Sequence, residues 1–133
     1  MTIPKGGGKI EIIMRKLLFI ILLASITWCQ GQTVEEVRAE IVRQGIPHAD
    51  LVLAQARLET GNFKSKVCRE KHNIFGIRQG RIYKRYARWQ DCVADYKRRI
   101  SSRYKGGDYY QFLTRIGYAE DKAYIRKLKQ FRR

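Results

Sequence analysis

Ala54-Gln55-Ala56-Arg57-Leu58-Glu59-Thr60-Gly61 reads as the end of an apolar helix, and Asn73-Ile74-Phe75-Gly76-Ile77-Arg78 follows after one loop. Gly61 stands just past the helix, where a left-handed cap is wanted. A carboxylate in that last turn, Glu59, sits on a rigid element beside a loop, so it can face a cleft while its helix is anchored in the core. Desolvation raises the pKa of a half-buried acid, which then stays protonated near neutral pH and can donate that proton. Cleaving a glycosidic bond requires such a donor. The competing reading is a solvated surface residue, the commoner fate of a lone Glu at a helix end.

Working outward, Thr33-Val34-Glu35-Glu36 is a capping box that opens a helix through Val37, Ile41 and Val42 to Gln44, with Gly45 as its stop. Ile46-Pro47 turns the chain into a second helix from about His48 to Thr60, with Leu51, Val52, Leu58 and several alanines on its buried face. Gly61 to His72 reads as irregular and basic. Phe75–Arg78 and Arg81–Tyr86 read as two short strands joined at Gln79-Gly80. Trp89, Val93, Tyr96 and Ile100 recur at helical steps, and Lys105-Gly106-Gly107 ends that segment. Asp108 caps a short helix ending at Gly117, and Asp121 starts a last helix through Tyr124, Ile125 and Leu128. Helices around one small β-hairpin make a mostly helical α+β domain.

The chain has 133 residues, enough for one domain, and its 44% hydrophobic content supports a core. Lys and Arg number 28 against 12 Asp and Glu, a formal charge of +16, so an anionic partner is expected: nucleic acid, an acidic membrane surface or an acidic polymer. Met14-Arg15-Lys16, the apolar run Leu17–Trp28 and the exit Cys29-Gln30-Gly31-Gln32 have the three parts of a secretory signal peptide. The expected organisation is therefore a leader over 1–31, comprising an upstream extension 1–13 and a signal peptide 14–31, followed by a domain over 32–133. The expected location is outside the cytoplasm: periplasm, cell envelope or extracellular space. Cleavage after Gly31 ranks first. Lipid modification of Cys29 ranks second, because Trp28 is bulky for lipoprotein processing. Loss of Lys5, Lys9, Glu11, Arg15 and Lys16 with the leader reduces the charge from +16 to +13. Cys68 and Cys92 then remain, either as a disulfide in an oxidising compartment or as two buried thiols. No zinc-ligand spacing exists, and no cofactor is expected.

Glu59-Thr60-Gly61, Asn73 to Arg78, the segment from Tyr86 to Tyr96, and Gly117-Tyr118-Ala119-Glu120-Asp121 occur in the order of the motifs of a known family. From Val34 to Leu128 the chain resembles the glucosaminidase domain of glycoside hydrolase family 73, the domain of bacterial autolysins and flagellar peptidoglycan hydrolases. The resemblance implies a lysozyme-like fold. It makes Glu59 the general acid and Tyr118 the tyrosine across the cleft, where the competing reading is a core or rim tyrosine. It places Asn73, Phe75 and Gly76 on the cleft floor. Tyr86 and Tyr83 would offer ring faces to sugars, while Trp89, at helical spacing, reads more readily as core, and Phe75 as packing beneath the Gly76 backbone. The family's second carboxylate is expected from the β-lobe, yet no Asp or Glu occurs between Glu70 and Asp91. Glu70 reads more readily as an ion-pair partner, and Asp91 and Asp95 as capping and surface charges.

Two mechanisms tolerate one carboxylate: attack by the substrate's own N-acetyl group, or attack by a sugar hydroxyl to leave an anhydro product. The leading reading is a secreted endo-β-N-acetylglucosaminidase acting on peptidoglycan or another N-acetylglucosamine-containing glycan, drawn to an anionic wall surface. The alternatives on the same fold are a lytic transglycosylase or muramidase, and a non-catalytic glycan-binding module. A basic nucleic-acid-binding protein ranks last, because exported domains rarely meet nucleic acid.

Overall fold

The computed structural model of the protein describes residues 9–16, 31–118 and 121–132. It divides into two units, Met1–Gly31 and Gln32–Arg133. In the first unit residues 9–16 are helical and expose Ile10, Ile12, Ile13 and Met14. The apolar run of residues 17–28, Cys29, and the Ala119-Glu120 pair of the fourth motif lie outside the described residues. Among the described residues no helix is long and apolar enough to cross a membrane.

The second unit is a mostly helical α+β fold with a single two-stranded antiparallel sheet among its described residues. Helix α1 (Val34–Arg43) opens on the capping box. The Glu36 amide donates to Thr33 Oγ1 at 3.1 Å, and the Thr33 amide donates to Glu36 Oε2 at 2.9 Å. Such a cap is worth about 1 kcal/mol. Helix α2 (Ala49–Thr60) is buried at every position from Leu51 to Ala56, so it has no solvent face over that stretch and forms the centre of the domain. Helix α1 packs on it from one side and the last helix from another. Gly61 ends α2 in the left-handed conformation and returns its N–H to the Arg57 carbonyl. Asn62 and Phe63 continue at positive φ, uncommon for bulky residues, and the turn is held by Thr60 Oγ1, which accepts from the Phe63 amide at 2.8 Å.

The segment expected to be irregular holds a six-residue helix, α3 (Lys66–Lys71). Ser65 Oγ caps it by accepting from the Cys68 amide at 3.1 Å, and Cys68 is the buried residue that anchors it. With one apolar contact among basic residues, the pattern carried no helical period to read. The hairpin is also shorter than expected: β1 (Arg78–Gln79) pairs with β2 (Ile82–Tyr83) in the register Arg78↔Tyr83 and Gln79↔Ile82. Ile74, Phe75 and Tyr86 leave the ladder and turn into the core. Asn73 takes over the pairing there, donating from Nδ2 to the carbonyls of Ile77 (2.8 Å) and Lys84 (2.9 Å) and accepting the Ile77 amide at Oδ1 (3.0 Å).

Helix α4 (Trp89–Arg99) runs into a 3₁₀ turn at Ser101–Arg103. Helix α5 (Tyr109–Arg115) is capped by Asp108, and α6 (Lys122–Arg132) lies along α2. Asp95 of α4, expected as a surface charge, is buried instead. It accepts from the Tyr86 hydroxyl at 2.6 Å, and it pairs with Lys84 at 2.9 Å, with Arg99 at 2.9 Å and with Arg98. Burial alone would push its pKa up; the Tyr86 hydroxyl and the three cations outweigh burial and hold the carboxyl well below its usual range. This hub fastens the hairpin lobe to α4.

Cys68 and Cys92 are free thiols, so the disulfide alternative is corrected. Each sulfur has its own partner: Gln32 Nε2 donates to Cys68 Sγ at 3.0 Å, and Cys92 Sγ donates to Asn73 Oδ1 at 3.6 Å. Burial raises both thiol pKa values, that of Cys92 to about 12.

Candidate active site

The last turn of α2, the turn before β1 and the first turn of α6 converge on Glu59. Its carboxyl lies against Gly76, whose φ is +65°. A Cβ at Gly76 would stand 3.3 Å from Glu59 Oε2 and 3.9 Å from its Cδ, so only glycine accepts both this backbone conformation and this neighbour without strain. The Tyr124 hydroxyl of α6 and the Arg78 guanidinium of β1 are both near enough to act on the carboxyl. Glu59 keeps an open side to solvent, as a proton donor to a large substrate must.

Desolvation of the carboxyl raises its pKa above the ordinary range, against the lowering effects of Tyr124 first and Arg78 second. The position adds to the rise, because a negative charge in the last turn faces the partial negative end of the helix macrodipole. Among the described residues, the groups acting on Glu59 include no second carboxylate. Glu70 is exposed on α3, Asp91 caps α4 by accepting the Arg88 amide at 3.2 Å, and Asp121 caps α6 by accepting the Ala123 amide at 2.8 Å.

Behind Glu59 runs a buried chain of phenols. Gln55, one helical turn earlier on α2 and fully buried, donates from Nε2 to the Tyr124 hydroxyl at 3.4 Å and accepts from the Tyr96 hydroxyl at 2.5 Å. Tyr96 and Tyr109 share a hydrogen bond of 2.7 Å. Tyr118 packs edge-on to Tyr124, ring centroids 5.9 Å apart, and its hydroxyl donates to the Phe75 carbonyl at 3.3 Å. Burial drives the Tyr118 and Tyr124 phenols well up, and the nearby Glu59 charge adds to both, so they remain protonated donors.

Of the residues singled out in the sequence, Glu59, Gly76 and Tyr118 come together here. Asn73 is fully buried and its side chain is spent on the hairpin clamp. Phe75 is 1% exposed and stacks on Tyr96 at 4.3 Å, so it supports the floor from beneath. Tyr86 is buried with its hydroxyl on Asp95, so its ring is not offered to a sugar. Trp89 is half-buried against the core. Tyr83 is half-exposed under the Arg78 guanidinium. His48 stands at the N-terminal boundary of α2 without a side-chain capping bond, and its ring bonds the Tyr104 hydroxyl at 2.9 Å; His72 bonds the Tyr86 carbonyl at 3.0 Å.

Tyr124 was legible in the sequence only as a core position of the last helix, because nothing local says which phenol meets a carboxylate 65 residues earlier. A notch lined by Asp50, Leu53, Ala54, Arg57, Phe131 and Arg132 opens at another part of α2. Its only carboxylate, Asp50, is held by Arg38 at 2.8 Å, so the notch offers no proton donor. Among the described residues no cluster of three or more His, Cys, Asp or Glu could hold a metal ion.

No curated protein and no solved structure matches the chain. Residues 34–133 match the family model described as Glucosaminidase, mannosyl-glycoprotein endo-beta-N-acetylglucosaminidase. With that match spanning most of its length, and with a raised-pKa acid on the anchored helix, the chain belongs to the glucosaminidase family of glycan hydrolases.

Proposed function

We propose that the protein is an exported endo-β-N-acetylglucosaminidase that cuts peptidoglycan, with Glu59 as its proton donor. The observation that carries this reading is the Glu59 carboxyl itself, crowded by Gly76 and Tyr124, open on one side, and raised in pKa. Protonated Glu59 gives its proton to the glycosidic oxygen, the C1–O bond breaks, and the leaving sugar departs as an alcohol. The Tyr124 hydroxyl then donates to the new Glu59 carboxylate. Among the described residues no second carboxylate acts on Glu59, which favours a route in which the substrate's N-acetyl oxygen closes on C1 and spreads the positive charge. Water, losing a proton to Glu59, opens that ring at C1 and regenerates the acid. Export is supported by the basic start, apolar run and small-residue exit of residues 14–31.

The test is to incubate the protein and its Glu59→Gln variant with purified peptidoglycan and identify the released ends by mass spectrometry. Reducing N-acetylglucosamine ends that vanish in the variant are expected. Anhydro or reducing muramic ends would replace the proposed reaction with a transglycosylase or muramidase. Intact glycan with both proteins would remove the catalytic reading.

A further inference from the structure

Among the described residues Arg78 is the cation whose charge acts on Glu59, and its own geometry shows why it stays where it is. The residue opens β1, two positions after the Gly76 that lies against Glu59. Its guanidinium lies 4.3 Å from the centroid of the Tyr83 ring, across the hairpin in the Arg78↔Tyr83 pair. Nη2 also donates to the Tyr83 hydroxyl at 2.7 Å. Stacking and hydrogen bond together hold a planar fork that would otherwise sample many rotamers. Only one of its five N–H donors is used in that bond. Arg78 is exposed, and among the described residues no carboxylate forms a salt bridge with it. The other hairpin cations divide: Lys84 is spent on Asp95, while Arg81 is exposed at the turn. A fixed and unneutralised guanidinium beside the proton donor suits a bidentate carboxylate on the substrate.

We propose that Arg78 determines specificity, taking the carboxylate carried by the muramic acid side arm next to the bond that Glu59 cleaves. The inference rests on the reading of Glu59 as a proton donor to an N-acetylated glycan, and it deepens that reading by choosing an anionic glycan over a neutral one. The carboxylate has two sources in a wall: the lactyl group itself where the peptide has been removed, or the first acidic residue of the stem peptide. Tyr83 is the platform for the fork and acts through Arg78.

The experiment measures binding, so it does not depend on turnover. Full-length protein carrying Glu59→Gln is titrated at low salt with three ligands: chitotetraose, a peptide-free tetrasaccharide alternating N-acetylglucosamine and N-acetylmuramic acid, and the same saccharide carrying stem peptides. At least one muramic ligand is expected to bind roughly tenfold tighter than chitotetraose, the magnitude of one charge-assisted bidentate contact. Preference for the peptide-free muramic ligand assigns the lactyl group; preference only for the peptide-bearing one assigns the stem. Adding Arg78→Gln should abolish the preference, read as the ratio of muramic-ligand to chitotetraose affinity, while Arg78→Lys should keep part of it. Arg126→Gln, an exposed charge on α6, controls for net charge and should preserve it. Preference that survives Arg78→Gln, or that falls equally in Arg126→Gln, overturns the inference. Equal binding of neutral and muramic ligands overturns it as well but leaves the glycan reading standing. Binding of none of the three brings down both.

Discussion

Ionising Glu59 places a negative charge against Gly76 at the C-terminal end of α2, where desolvation of its inner side disfavours the charge although its outer side stays open to solvent. Its folded pKa is raised above the unfolded value, so the native state holds more protons between the two. Stability therefore falls as pH rises from the unfolded carboxylate pKa through the folded one. Glu59→Gln removes that cost. The variant should melt at a higher temperature than the parent at pH 7, with the difference vanishing below about pH 4, near the unfolded Glu pKa. Calorimetry at the two pH values checks this, and a variant less stable at pH 7 would contradict the burial of the carboxyl. On the proposed mechanism the same acid sets the basic limb of the activity profile, because the donor is lost as pH passes the Glu59 pKa. The nearby Tyr124 hydroxyl favours the ionised form and so lowers that pKa. Tyr124→Phe should move the basic limb of kcat/KM to higher pH, and an unmoved limb would show that the phenol does not reach the ionised acid. Glu59 was legible as a residue because a Glu, a Thr and a capping Gly are local features. Tyr124 was not, because its partner comes from a distant helix.

The hairpin lobe shows how elements are held where strands are too short to hold themselves. Two residues per strand supply few ladder bonds, so the lobe depends on the Asn73 clamp and on Asp95. Asp95→Ala would leave the buried Tyr86 hydroxyl and three cations without their acceptor. The expected loss is about 3 kcal/mol, the scale for breaking a buried charged network. Urea denaturation should show it as a lower midpoint with little change in slope, whereas a loss under 1 kcal/mol would make the hub incidental. Because the folded pKa of Asp95 is depressed, its stabilisation is present above the ordinary Asp range and is lost as pH falls through the folded value. Helix positions were readable from period and caps, and α1, α2, α4, α5 and α6 lie close to where those signals put them. Helix α3 and the true strand lengths were not. A helix anchored by one buried cysteine has no period, and Ile74, Phe75 and Tyr86 turn into the core instead of pairing.

At the scale of the whole molecule the excess of cations over anions dominates. A formal charge of +16 on 133 residues favours anionic partners, and if the proposed wall is one, screening should weaken the attraction as the Debye length shrinks from about 10 Å at 0.1 M salt to about 3 Å at 1 M. The fraction of protein that pellets with insoluble peptidoglycan should fall steeply over that range. Retention that ignores salt would mean that contact chemistry, not charge, holds the protein to the wall. The sequence by itself determined the helical order, the caps, the charge and the acid at the end of α2. Each of these is written within a few residues, in periodicity, glycine placement and composition. Only the packed fold reveals that Asp95 is a buried hub, that Cys68 and Cys92 are free thiols, that Asn73 and Tyr86 are spent on architecture, and which tyrosine acts on Glu59. Those outcomes depend on which side chains share a small volume after distant segments pack, and desolvation and hydrogen-bond partnership are properties of that volume, not of the local chain.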